Sequence, residues 1–142
     1  MQEIKEYVHT VQYYETDKMG ITHHSNYIRW MEEARVDFLA QIGWDYAKLE
    51  KLGIFSPVVG ITCEFRHPTT FADRIAIRAS VSEFRNVSMA FAYEMRKEDG
   101  TVVFTAVSQH AFLTADGRPA RIRRDHPDVF EAFSRLAAPE TE

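Results

Sequence analysis

Residues 13–27 read YYETDKMGITHHSNY, and few stretches of the chain concentrate so much chemistry. Asp17 and Gly20 lie where an alternating run ends, His23 and His24 are adjacent, and Ser25, Asn26 and Tyr27 open an amphipathic stretch. A carboxylate can act as base or nucleophile, and imidazoles can move protons or bind metal. Each also has an ordinary structural use. Asp ahead of Gly at a strand end is a turn signal. Adjacent histidines point apart, and neither HExxH nor CxxC spacing is present, so the sequence gives no metal site. Cys63 and His67 would lie about 13 Å apart on one strand, too far for a nucleophile and its base. No G-x-S-x-G elbow exists, which disfavours a serine hydrolase.

The elements that must position these residues follow from periodicity. Residues 7–16 carry β-branched and aromatic residues in alternation and read as a strand. From Asn26 to Ile42, Tyr27, Met31, Ala34, Phe38 and Ile42 recur at spacings of three and four, which predicts a helix. Ser25 or Asn26 would cap its start and Gly43 would end it, with a short second helix over Asp45–Leu52. Arg35 falls inside the apolar stripe, so the sequence calls for a partner, from Glu32 or from an acid on the sheet. Beyond Pro57, strands are predicted over 58–65, 74–84, 87–97 and 101–115, with turns at Asn86 and at Asp99-Gly100. Phe91, Tyr93, Phe104 and Phe112 read as core. A terminal helix follows, with Pro127 in its first turn. Strand, long helix, then four antiparallel strands define an α+β class in which the sheet can curl around the helix.

At 142 residues, 45% of them hydrophobic, the chain has material for a single-domain core over 1–142. The net charge of −4 argues against a nucleic-acid partner. One cysteine, no signal peptide and no apolar run long enough to cross a membrane predict a soluble, cytoplasmic protein.

The run Asp17, Gly20, Ile21, His23, His24, Ser25, Asn26, Tyr27, placed between a strand and the long helix, resembles the 4-hydroxybenzoyl-coenzyme A thioesterase family of hot-dog-fold acyl-CoA thioesterases. The resemblance covers most of the chain. It implies a five-stranded antiparallel sheet wrapped around the helix and hydrolysis of an acyl-CoA to a free acid and coenzyme A. No metal or organic cofactor is implied. Asp17 would be the catalytic carboxylate, as nucleophile or general base. His24 would orient Asp17, water or substrate, and its backbone N–H would hold the thioester oxygen, while Gly20, His23, Ser25, Asn26 and Tyr27 would line the substrate site. His23 replaces an aromatic residue common in the family. Arg85, Arg118 and Arg121 are the best candidates for the phosphates of coenzyme A, though a basic run such as 118–124 reads equally as a solvated tail. One such domain cannot enclose a site, so a homodimer, or a dimer of dimers, is implied. Strand 58–65 or 101–115 would pair across it. Two rival readings remain: a hot-dog hydratase or dehydratase, which would use a His with an acid on the central helix, and a non-catalytic acyl-CoA-binding protein.

Overall fold

The computed structural model describes residues 3–137. Strand β1 spans Tyr7–Thr10 only, and a 3-10 turn follows at Tyr13–Glu15. The predicted strand over 7–16 is cut short because the buried carboxylate of Glu15 turns back to accept the Gln12 N–H at 2.8 Å, pulling the chain out of line. Helix α1 covers Ser25–Gln41 and α2 covers Tyr46–Lys51. Gly43, just past α1, adopts φ +81°, the left-handed geometry its sequence position predicts. Neither Ser25 nor Asn26 caps α1. His24 occupies the N-cap position with no side-chain bond of its own.

Four long strands follow: β2 at Val58–Phe65, β3 at Arg74–Arg85, β4 at Ser88–Arg96 and β5 at Val102–Ala111. Their order in one antiparallel sheet is β1-β3-β4-β5-β2. Past Ala111 the chain leaves the ladder, and Leu113 pairs instead with Phe55 and Pro119. The order corrects one expectation: β5 is internal, flanked by β4 and β2, so it offers no free edge. The outer edge of β2 has no partner among the described residues, and Val58, Val59, Ile61 and Phe65 lie exposed along it. A short α3 at Ile122–Asp125 and α4 at Pro127–Ala137 close the chain, with α4 packed on β3.

Alternation decides which sheet face is buried. Ile75, Ile77 and Val81 of β3, and Met89, Phe91, Tyr93 and Met95 of β4, face the same core as Trp30, Met31, Ala34, Phe38 and Leu39 of α1. Phe104 and Phe112 join them, so the four aromatics expected in the core are all there. Each large apolar side chain buried this way contributes roughly 1.5–3 kcal/mol, which is what presses α1 onto the sheet. No described helix is long and apolar enough to cross a membrane.

Candidate active site

The loop between β1 and α1 is built around Glu15. Besides the Gln12 N–H, its carboxylate accepts from Trp30 Nε1 at 2.9 Å and lies 2.8 Å from His9 Nε2. The other ring nitrogen of His9 meets Glu33 on α1 at 2.9 Å, and Glu33 also accepts the Tyr7 hydroxyl at 2.8 Å. Burial pushes the Glu15 carboxyl up, but bonds from His9, Gln12 and Trp30 outweigh it and hold the group below the ordinary glutamate range. Burial and the Glu33 carboxylate push the Tyr7 hydroxyl up to about 12. The Glu15 carbonyl in turn accepts His23 N–H at 2.8 Å and Asn26 Nδ2–H at 2.9 Å. Sequence reasoning missed Glu15, His9 and Trp30. The one local signal was an acidic residue among aromatics two positions before Asp17.

From this anchor the chain makes a tight hairpin. Asp17 N–H donates to the Ile21 carbonyl at 2.9 Å, and Gly20 N–H to the Asp17 carbonyl at 2.9 Å, while Thr16 and Thr22 pair across the base. Gly20 has φ +82° with open space where a Cβ would lie, so the backbone angle rather than crowding calls for glycine. Asp17 is exposed. Its Oδ1 accepts Met19 N–H at 2.8 Å, and Oδ2 has no partner among the described residues.

Accounting for the amides that follow isolates one of them. Thr22 N–H goes to the Thr69 carbonyl and His23 N–H to Glu15. Ser25 N–H lies 3.2 Å from His23 Nδ1, and Asn26 and Tyr27 N–H go to the His23 and His24 carbonyls. The His24 N–H has no acceptor among the described residues, and His24 is an exposed residue at the start of α1, with the helix dipole behind it. His23 is the cap that Ser25 and Asn26 do not supply: its Nδ1 also accepts the Ser25 hydroxyl at 2.8 Å, and its ring stacks on His24 at 4.3 Å. Asn26 braces the loop. Tyr27 is buried, bonded to Thr69 Oγ1 at 2.9 Å and stacked on Phe104, and burial pushes its hydroxyl up. It therefore ties α1 to the sheet. The His24 ring approaches Phe65 of β2 edge-on, which sets the loop beside the unpaired strand.

The structure does not bring the arginines to this loop. Thr70, bridged to Ile21, precedes β3, whereas Arg85 ends it, so the length of that strand, roughly 36 Å of chain at about 3.3 Å per residue, runs between them. Arg85 Nε lies 3.0 Å from Glu83, and Arg118 Nε lies 3.5 Å from Asp116. The Asn86 carbonyl accepts Ile122 N–H and its side chain accepts Arg123 N–H at 2.8 Å, so Arg85 and the Arg121–Arg124 stretch share one basic corner.

At this same end an open cleft of about 700 Å³ lies between α1, α2, the Phe55–Val58 segment and the Leu113–Gly117 segment. Arg35 forms part of its wall. Neither Glu32 nor a sheet carboxylate pairs with it. Arg35 Nε donates to the Tyr46 hydroxyl at 2.7 Å and Nη1 to the Tyr93 hydroxyl at 2.9 Å. Burial works against this cation and the tyrosine oxygens outweigh that, so the guanidinium stays charged. Behind it runs a chain of bonds, Tyr93 to Ser108 at 2.6 Å, Ser108 to His110 Nε2 at 2.8 Å, and His110 Nδ1 to the Ser56 carbonyl at 3.0 Å. Burial, with Arg35 nearby, lowers the His110 pKa, so the ring is neutral. A carbonyl only accepts, hence Nδ1 carries the proton and Nε2 accepts. Among the described residues no group of three or more His, Cys, Asp or Glu side chains is arranged to hold a metal ion.

A five-stranded antiparallel sheet with one long helix packed on it is the hot-dog fold of thioesterase structures. The chain belongs to the Thioesterase-like superfamily, whose family model matches residues 11–135. A DHNA-CoA thioesterase from Staphylococcus aureus superposes with a TM-score of 0.87 and 30% identity, over 93% of this chain and 89% of that one. The structure of a gentisyl-coenzyme A thioesterase gives 0.77 at 30% identity, over 85% and 98%. In sequence, the 1,4-dihydroxy-2-naphthoyl-CoA hydrolase of Thermosynechococcus vestitus is 28% identical over 138 residues, 96% of this chain and 92% of that protein.

Proposed function

We propose that this protein hydrolyses acyl-CoA thioesters, with the carbonyl oxygen held by the His24 N–H and attack carried out by Asp17 or by water that Asp17 deprotonates. The observation that carries this reading is the unspent His24 amide on the same short loop as the free Oδ2 of Asp17. Attack on the carbonyl carbon moves its electron pair onto oxygen, where an amide and a helix end are suited to meet it. Collapse expels coenzyme A thiolate, a leaving group with a pKa near 8.5 by analogy with free cysteine, so strong acid assistance is unnecessary. If Asp17 attacks directly, water then cleaves the acyl-Asp17 anhydride; if it acts as base, the acid forms in one displacement. The relatives named for dihydroxynaphthoyl-CoA and gentisyl-CoA favour a hydroxylated aromatic acyl group. The single free cysteine, Cys63, fits a reducing, cytoplasmic setting.

A homodimer through β2 supports the same reading. Antiparallel pairing of two β2 edges would cover Val58, Val59, Ile61 and Phe65, and it reverses the second sheet. The Asp17 loop of one copy then adjoins the end of its partner that carries the cleft, Arg85, Arg118 and Arg121, where coenzyme A phosphates can be held. The hydratase alternative has one observation behind it, the His9–Glu33 contact with an acid on α1. Both ring nitrogens of that histidine face carboxylates, however, and its side chain is only 12% exposed, which leaves no nitrogen free to move a substrate proton.

The test is free-thiol release from a panel of acyl-CoAs by the wild type and Asp17→Asn, with mass by light scattering. A loss of at least about 10²-fold in kcat for the variant is expected, the size of a positioned proton-transfer or nucleophilic group. Equal rates, or a monomer as active as any dimer, would sink the reading.

A further inference from the structure

Arg35 is a buried cation with no carboxylate within ion-pairing distance among the described residues, and it lines the cleft. Its Nε and one Nη1 hydrogen are spent on tyrosine hydroxyls. The other Nη1 hydrogen and both on Nη2 have no acceptor among the described residues. Among the described residues no fully buried side-chain nitrogen lacks a partner, so Nη2 reaches accessible surface, and the cleft is the surface that Arg35 lines. The polar chain behind it, through Tyr93, Ser108 and neutral His110 to the Ser56 carbonyl, supplies no negative charge. A desolvated guanidinium held this rigidly is poised to donate to something that enters the cleft.

The rest of the wall narrows what that is. Val36, Phe55, Pro57 and Leu113 are apolar, which suits a flat or branched hydrocarbon group. Glu32 and Glu50 also border the cleft, both exposed and neither bonded to Arg35. A carboxylate entering beside two acids would be repelled. A hydroxyl would not, since its oxygen can accept from Arg35 while its hydrogen turns toward an acid.

We propose that Arg35, oriented by Tyr46 and Tyr93, is a specificity-determining residue that receives a hydroxyl oxygen on the acyl group of the thioester. This rests on the hydrolase reading above and on β2 pairing. Within one chain the cleft lies about 15 Å along α1 from Ser25, ten residues at roughly 1.5 Å each, so the acyl group it takes is the one presented to the partner's Asp17.

The experiment compares kcat/KM for benzoyl-CoA with that for the 2-, 3- and 4-hydroxy and 2,5-dihydroxy analogues. Wild type, Arg35→Lys and Tyr46→Phe are measured side by side. Wild type should favour at least one hydroxylated thioester by about 10- to 100-fold, the worth of a hydrogen bond from a charged donor. Both variants should shrink that ratio by about 10-fold, with kcat/KM for the hydroxylated thioester falling further than that for benzoyl-CoA. Tyr46 is only half-buried, so its phenylalanine variant carries the comparison if Arg35→Lys fails to fold. A ratio near one in the wild type, or variants that slow all substrates in equal proportion, would overturn the assignment. Turnover abolished by Asp17→Asn upholds the hydrolase reading whatever the ratio; no turnover of any thioester overturns both.

Discussion

Replacing Glu15 tests whether the loop is held as described. Its carboxylate serves three donors at once, from His9, Gln12 and Trp30, and Trp30 is fully buried with no route to water. Glu15→Ala strands all three. Each unpaired buried donor costs about 1–3 kcal/mol and removing one partner of a buried charged contact about 3–5, so a loss of about 3–5 kcal/mol is expected. Set against a typical stability of about 5–15 kcal/mol, that is a large fraction of the whole. Glu15→Gln keeps the shape but turns an amide N–H toward one of the donors, and should cost about 1–3 kcal/mol. Urea unfolding followed by tryptophan fluorescence gives both numbers, provided the slope with denaturant is unchanged. The Gln variant stays folded at room temperature, so its thiol-release rate reports the loop alone. A displacement on the order of 1 Å at Asp17 or His24 can lower kcat/KM by about 10²-fold. A cost below about 1 kcal/mol for Glu15→Ala, no more than an average substitution, would refute the account of this anchor.

Two further outcomes follow from bonds in the same structure. His23→Ala should destabilise α1 by about 1 kcal/mol through loss of its cap, and His23→Asn should recover most of it, as thermal melts would show. His110 has its folded pKa lowered by burial, so the unfolded chain takes up a proton first as pH falls below the ordinary value of 6.5. The stability it contributes is complete above 6.5 and is lost as pH falls through the folded value; the urea midpoint should decline there in wild type and less steeply in His110→Gln. Equal slopes would count against a neutral buried ring.

Much of this was legible where cause is local. The spacing of Tyr27, Met31, Ala34 and Phe38 located α1 within one residue at each end, and alternation in β3 and β4 named the buried face. Arg35 was recognisable as an anomaly because a charge interrupts an apolar stripe. Its partners were not, since Tyr46 and Tyr93 reach it from other elements and a tyrosine in a sequence advertises packing rather than charge support. Glu15 was overlooked for the same reason: its donors come from elsewhere, and Trp30 is 15 residues away. Strand order is likewise nonlocal. The hairpins joining β3, β4 and β5 are written in turn residues, but the return of β2 to the far side of β5 is written in no short segment, so β5 was open to being read as an edge.

His23 makes local bonds at the helix start, and on the proposed reading its backbone neighbour supplies the chemistry. By capping Ser25 with its ring, His23 satisfies the amide and hydroxyl that would otherwise compete for space at the helix start. The carbonyls of His23 and His24 take the next two amides, and that of Glu15 takes the N–H of His23 itself. Of the backbone amides from Thr22 to Tyr27 only the His24 N–H is left without an acceptor among the described residues, and a donor that has no alternative partner can meet a developing oxyanion without first breaking a bond. Water would still screen it, because the loop is exposed in one chain. A low-dielectric setting strengthens such a contact several-fold, and the apolar edge of β2 beside His24 and Phe65 is where a second copy would provide it. The same contact would cover the unpaired strand and dry the proposed oxyanion site, so on this reading association and chemistry would draw on one surface.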